Sequence, residues 1–150
     1  MAKKPTRKRG VNSNLAAEYF VASQLFRLGY TVMVTYANTK QIDLVVLHPD
    51  HKRKVTIDVK GLKNKSNWPM KNPLIYREHF YVLVSFKKKF NDVSSMPEAF
   101  IIPSTSVKKL WSLWSGSKTQ RAIAYGKVNN SMYKNRWDYL FGDRIEGVIR

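Results

Sequence analysis

Between Tyr30 and Gly61 the chain passes through three short stretches, YTVMVTY, IDLVVLH and VTIDVKG, each rich in β-branched and apolar residues. The turn-forming segments ANTKQ and PDHKRK separate them. This pattern predicts a three-stranded meander over 30–36, 42–48 and 55–61. The preceding segment, NSNLAAEYFVASQLFRLGY, has helical spacing instead, with Leu15, Ala22, Leu25 and Leu28 on one face. Asn12, Ser13 or Asn14 is available as its N-cap and Gly29 as its stop. A helix followed directly by a meander must pack on that sheet.

Residues 62–79 show no sustained period, and a connection of that length in a compact domain is usually functional or mobile. FYVLVSF (80–86) is almost wholly apolar, as a central strand would be, and AFIIP (99–103) reads as a fifth strand. SVKKLWSLWSG (106–116) predicts a helix with Val107, Leu110, Trp111 and Trp114 as its apolar stripe. AIAYGKV (122–128) reads as a strand, and NRWDYLFG (135–142) as a short helix burying Trp137, Leu140 and Phe141. The expected fold is α/β: a mixed sheet of about five strands flanked by helices.

The length of 150 residues fits one domain over 11–150, preceded by a basic arm at 1–10 that includes Arg7, Lys8 and Arg9. Twenty-seven Lys and Arg against ten Asp and Glu give a net charge of +17, a field that attracts polyanions. Nucleic acid is the usual partner of such a domain. The absence of cysteine excludes disulfides, thiolate zinc sites and cysteine nucleophiles, and suits a cytoplasmic location. No apolar run reaches the ~20 residues of a membrane span, so a soluble chain is expected. No Gly-rich phosphate loop appears, and His48 and His51 alone make a poor zinc site.

Acidic residues are few enough to weigh one by one. In VTIDVKG, Val55, Ile57 and Val59 point one way while Asp58 and Lys60 share the other face. Asp43 lies in the aliphatic strand that a hairpin joins to this one, and Glu18 falls on the expected core face of the helix. Three carboxylates and one lysine are thus expected to converge where water is scarce, with the register deciding how close Asp43 comes to Asp58. Crowded carboxylates lose hydration and repel one another, and oxygen ligands in this number suit a hard divalent ion such as Mg²⁺. A metal held by acids in a basic protein matches what phosphodiester hydrolysis requires, with Lys60 beside the ion. A salt bridge on a wet sheet face is the structural alternative for Asp58 and Lys60.

Glu18 in AAEYF, Asp43 in QIDLVV, and Asp58 with Lys60 in IDVKG together resemble the PD-(D/E)xK nuclease superfamily, and its small resolvase-like members in particular. The resemblance spans about residues 10–103 and implies a restriction-endonuclease-like fold with an αβββ–connection–β core. It also implies metal-dependent phosphodiester cleavage, and the expected function is Mg²⁺- or Mn²⁺-dependent endonuclease action on DNA. Asp43 and Asp58 would be metal ligands, with the Val59 carbonyl and Glu18 assisting, and Lys60 would act on the water or phosphate. Ile42 stands where a proline is usual, and Asp58 where Glu is frequent.

Lys63, Lys65 and Lys71 leave the catalytic strand and would hold phosphates, while Trp68 would either stack on a base or cover the core. Lys87, Lys88 and Lys89 read as a solvated loop, and His79 as a strand cap. Cutting two strands takes two sites, so a homodimer is expected. The rival expectations are an inactive nucleic-acid-binding protein of the same fold and a basic structural protein.

Overall fold

The structure, a computed structural model, describes residues 11–36 and 41–143. The basic arm with Arg7, Lys8 and Arg9 lies outside the described residues. Helix α1 (Val11–Arg27) leads into β1 (Thr31–Val34), β2 (Leu44–Leu47) and β3 (Lys54–Leu62). Gly29, at φ 88°, takes the left-handed turn that ends the helix. Then come β4 (Asn67–Pro69), β5 (His79–Ser85) and β6 (Glu98–Pro103). The chain continues through α2 (Val107–Leu110), β7 (Trp111–Leu113), β8 (Arg121–Ala124) and α3 (Tyr125–Val128). A 3₁₀ turn at Trp137–Tyr139 follows.

Five strands form a mixed sheet in the order β1-β2-β3-β5-β6, antiparallel except for the parallel β3–β5 pair. Its two faces are covered differently. Ala17, Val21 and Leu25 of α1 pack on Ile57, Val59, Val82 and Ile101. On the far face, Tyr81, Leu83, Phe100 and Ile102 meet Trp68 and Ile123 from a second, three-stranded sheet ordered β4-β8-β7. Every residue of β5 is buried because both of its faces are covered, which explains its unbroken apolar run. Among the described residues no helix is long and apolar enough to cross a membrane.

Four expectations are corrected. The segment 106–116 is not one helix: α2 stops at Leu110 and Trp111–Leu113 pair with Arg121–Ile123. A partner strand competes with helix propensity there, and Trp and Leu suit the pleated surface. The segment 122–128 is a strand only to Ala124, and Tyr125–Val128 are helical. The 62–79 connection is not structureless, since Asn67–Pro69 pair with β8. Finally, Leu15 is 46% exposed, because the buried stripe of α1 runs through Ala17, Val21 and Leu25 at four-residue spacing.

Gly61 accounts for that shift. A Cβ there would lie 2.4 Å from the Ser13 carbonyl oxygen and 2.8 Å from the Ala17 Cβ, so helix and strand approach to backbone contact. Only small residues fit this seam. The Gly61→Ala variant is expected to lose about 1–3 kcal/mol of stability, read as a lower midpoint in urea with an unchanged slope. Unaltered stability would mean that the helix does not sit this close.

Candidate active site

Strand β3 extends past its neighbour. The β2–β3 register ends at Leu44 opposite Ile57, so 58–62 have no β2 partner. Side chains substitute for the missing strand. The Asp43 carboxylate accepts the Val59 N–H at 2.7 Å, and the Asn14 Oδ1 accepts the Gly61 N–H at 3.2 Å. The Asp43 backbone is fixed on both sides: its N–H donates to the Ile57 carbonyl at 2.8 Å, and its carbonyl accepts the Thr35 N–H at 2.9 Å. The Val59 carbonyl faces the same open edge as the Val59 N–H, because the two groups of one residue point to the same side of a strand.

Asp43, just before β2, sends its N–H to the Ile57 carbonyl, one residue from Asp58. Asp58 is 5% exposed, and its carboxyl lies close enough to that of Asp43 for each to influence the other. Burial pushes Asp58 up to about 6; the Lys60 charge opposes this and the Asp43 charge adds to it. Burial raises Asp43 as well, against the Val59 N–H, the Lys60 charge and the contact with Asp58. Lys60 Nζ stands 3.2 Å from Asp58 Oδ1 and 5.8 Å from the centre of the Tyr81 ring.

Glu18 approaches differently from expectation. Helix α1 packs on the Ile57 and Val59 face, whereas Asp58 and Lys60 point to the opposite one, beside Tyr81 and Leu83. Glu18 is half-buried at the flank of the helix and acts on the acids around the sheet edge. Its own burial, then the charges of Asp43 and Asp58, push it up to about 7. Among the described residues, no three His, Asp or Glu side chains stand close enough to cage a metal by themselves. The oxygen set at the edge is thus two carboxylates and the Val59 carbonyl, a hard donor set that fits Mg²⁺ or Mn²⁺ completed by water and phosphate.

An open cleft of about 650 Å³ adjoins this edge, lined in part by Asn14, Val59, Lys60, Lys63 and Asn64. A second, of about 390 Å³, continues from Lys63 and Asn64 to Lys88 and Lys89. The Lys88 N–H donates to the Lys63 carbonyl at 2.8 Å, so this loop is docked at the end of β3. Lys65 and Lys71 are exposed but lie apart from the cleft, Lys65 over the Tyr125 ring at 5.3 Å. Trp68 is not a base-stacking residue: it is fully buried against Phe100, and its indole N–H donates to the Val84 carbonyl.

His79 is buried on the site's face of the sheet, with Nδ1 2.7 Å from Thr56 Oγ1 and Nε2 without a partner among the described residues. Burial, then the Lys60 charge, hold it down to about 4, which keeps the imidazole neutral. His48 instead joins a separate cluster, with Nε2 2.6 Å from Asp143 Oδ2. Asn14, Gly61 and Tyr81 belong to the site yet carry no charge signal in the sequence. The one available cue was a glycine inside a strand pattern, which marks close backbone approach.

Comparison with protein-family models, curated proteins and solved structures yields no match. The site therefore has to be read from its own chemistry.

Raised carboxyl pKa values have a stability consequence of definite sign. Asp58 and Glu18 bind protons more tightly folded than unfolded, so their favourable contribution is complete below about pH 4 and lost as pH rises through 6 to 7. In EDTA, Asp58→Asn is expected to melt higher than wild type at pH 8 by roughly 2–6 °C, with the gap closing toward pH 4. A variant less stable at pH 8 would show that the Lys60 contact outweighs the crowding.

Proposed function

We propose that the chain is a divalent-metal-dependent endonuclease that hydrolyses phosphodiester bonds in DNA, on the restriction-endonuclease-like plan of the PD-(D/E)xK group. The observation that carries this reading is the Asp43–Asp58 pair. Two crowded carboxyls, both raised by burial, stand at a strand edge in a protein with 27 basic residues available to neutralise them. An ordinary structural network would surround such a pair with cations. Among the described residues a single lysine stands beside it, and the pair keeps raised pKa values that a functional site would use.

Asp43, Asp58 and the Val59 carbonyl would hold the ion, with Glu18 at the flank. When bound, such an ion supplies a more acidic bound water and a neutralised phosphoryl oxygen. Lys60, steadied by Asp58 and the Tyr81 ring, directs its ammonium toward a phosphate oxygen or the attacking water. Glu18, poised near neutral pH, can accept a proton from that water. Lys63, Lys88 and Lys89 extend the site as a phosphate-holding rim. Two copies acting as a homodimer would cut both strands of a duplex.

A second reading, a DNA-binding protein of the same plan without cleavage, draws on the absence of a three-acid cage among the described residues. The two are separated by incubating plasmid and branched DNA with Mg²⁺ or Mn²⁺, using wild type, Asp43→Asn, Asp58→Asn and Lys60→Ala. Cleavage by wild type and a loss of roughly 10²-fold or more in each variant, with DNA binding retained, are expected. Binding without cleavage by wild type would favour the second reading. Equal cleavage by all four proteins would contradict both the site and the enzyme.

A further inference from the structure

A third cleft, of about 550 Å³, lies between the loop after β4 and the β7–β8 hairpin. Trp111, Arg121, Lys71, Asn72 and Gln120 contribute to its lining, and no carboxylate does. Its walls are tied together: β4 pairs with β8, and the Met70 N–H donates to the Arg121 carbonyl at 3.0 Å. The hairpin loop is likewise ordered, with Ser117 Oγ accepting the Gln120 N–H at 2.8 Å and the Trp114 N–H bound to the Gln120 carbonyl at 2.8 Å. The cleft is therefore pre-formed.

Its chemistry is specific. Trp111 and Arg121 are diagonal neighbours on one face of the hairpin, and the guanidinium carbon lies 5.2 Å from the indole centre. Trp111 rests one side on the inner core while remaining only half-buried, and Arg121 is exposed. Among the ion pairs of the described residues, Arg121 takes no part, unlike Arg53 and Arg136, which pair with Asp50 and Asp138. A flat π surface, a stacked cation, two carboxamides and an ammonium match the face, edges and phosphate of a nucleotide. The cleft is also joined to the candidate active site. Gln41, two residues before Asp43, donates from Nε2 to the Asn72 carbonyl at 2.8 Å, and its buried Oε1 has no partner among the described residues.

We propose that this cleft binds an unpaired nucleotide of a DNA strand, its base against the Trp111–Arg121 stack and its phosphate on Lys71. The choice of DNA rests on the nuclease reading, but the subsite itself is tested by binding alone. In EDTA, fluorescence anisotropy would compare a labelled thymidine oligonucleotide with an abasic strand of equal length. Wild type is expected to favour the base-bearing strand about tenfold. Trp111→Leu, which keeps an apolar contact with the core, and Arg121→Gln should both reduce that preference to within about twofold. Lys108→Gln, which removes the same charge from an exposed helical position, should leave the preference unchanged. Equal binding of both strands by wild type, or a preference that survives both cleft variants, would overturn the proposal. Because no cleavage enters this readout, an inactive enzyme would leave a positive result standing, and an active one would not rescue a negative result.

Discussion

Strand β3 outruns β2, and much of the molecule is arranged around that unmatched edge. Each unsatisfied backbone group there would cost about 1–3 kcal/mol if buried, so Val59 and Gly61 need partners that no strand provides. Asp43 satisfies the first and Asn14 the second. Asn14 can do so only because Gly61 lets helix α1 settle to backbone contact. The same seating fixes where Glu18 stands. One short strand thus accounts for a carboxylate aimed at a backbone N–H, a helix with small residues on its contact face, and a carbonyl facing an open edge.

Seven acids among the described residues fall into two electrostatic classes. Asp50, Asp143 and Glu98 sit against Arg53, His48 or Lys134 and are held below the usual carboxylate range; Asp92 is held low by Ser94. These are structural acids in a basic field. Glu18, Asp43 and Asp58 are raised, although cations outnumber acids nearly threefold in the chain. Burial is the main cause in each case. Carboxyls raised by burial, with Lys60 beside them, are the feature on which the proposed metal site rests.

The strand run IDVKG made much of this legible. Alternation put Asp58 and Lys60 on one face, and the hairpin between two aliphatic runs brought Asp43 toward them. What stayed hidden was set by pairing, which a single segment does not reveal. Asp43 can reach the Val59 N–H only because β2 stops at Leu44, and Glu18 stands on the helix that covers the other face of β3. The helical period alone marks Leu15 as core, whereas Gly61 selects Ala17 for the contact. Trp68 and Trp111 differ in burial for a related reason. The second sheet, whose strands are three or four residues long, buries the one and leaves the other half-open, and strands that short carry little period to detect.

The most direct measurement is a calorimetric titration of Mn²⁺ into wild type, Asp43→Asn and Asp58→Asn at several pH values. Saturable binding to wild type is predicted, tightening as pH rises through 6 to 7 and releasing protons, and it should be lost in both variants. If wild type binds no ion, or if both variants bind it as well as wild type does, the Asp43–Asp58 pair is not a metal site and the account fails.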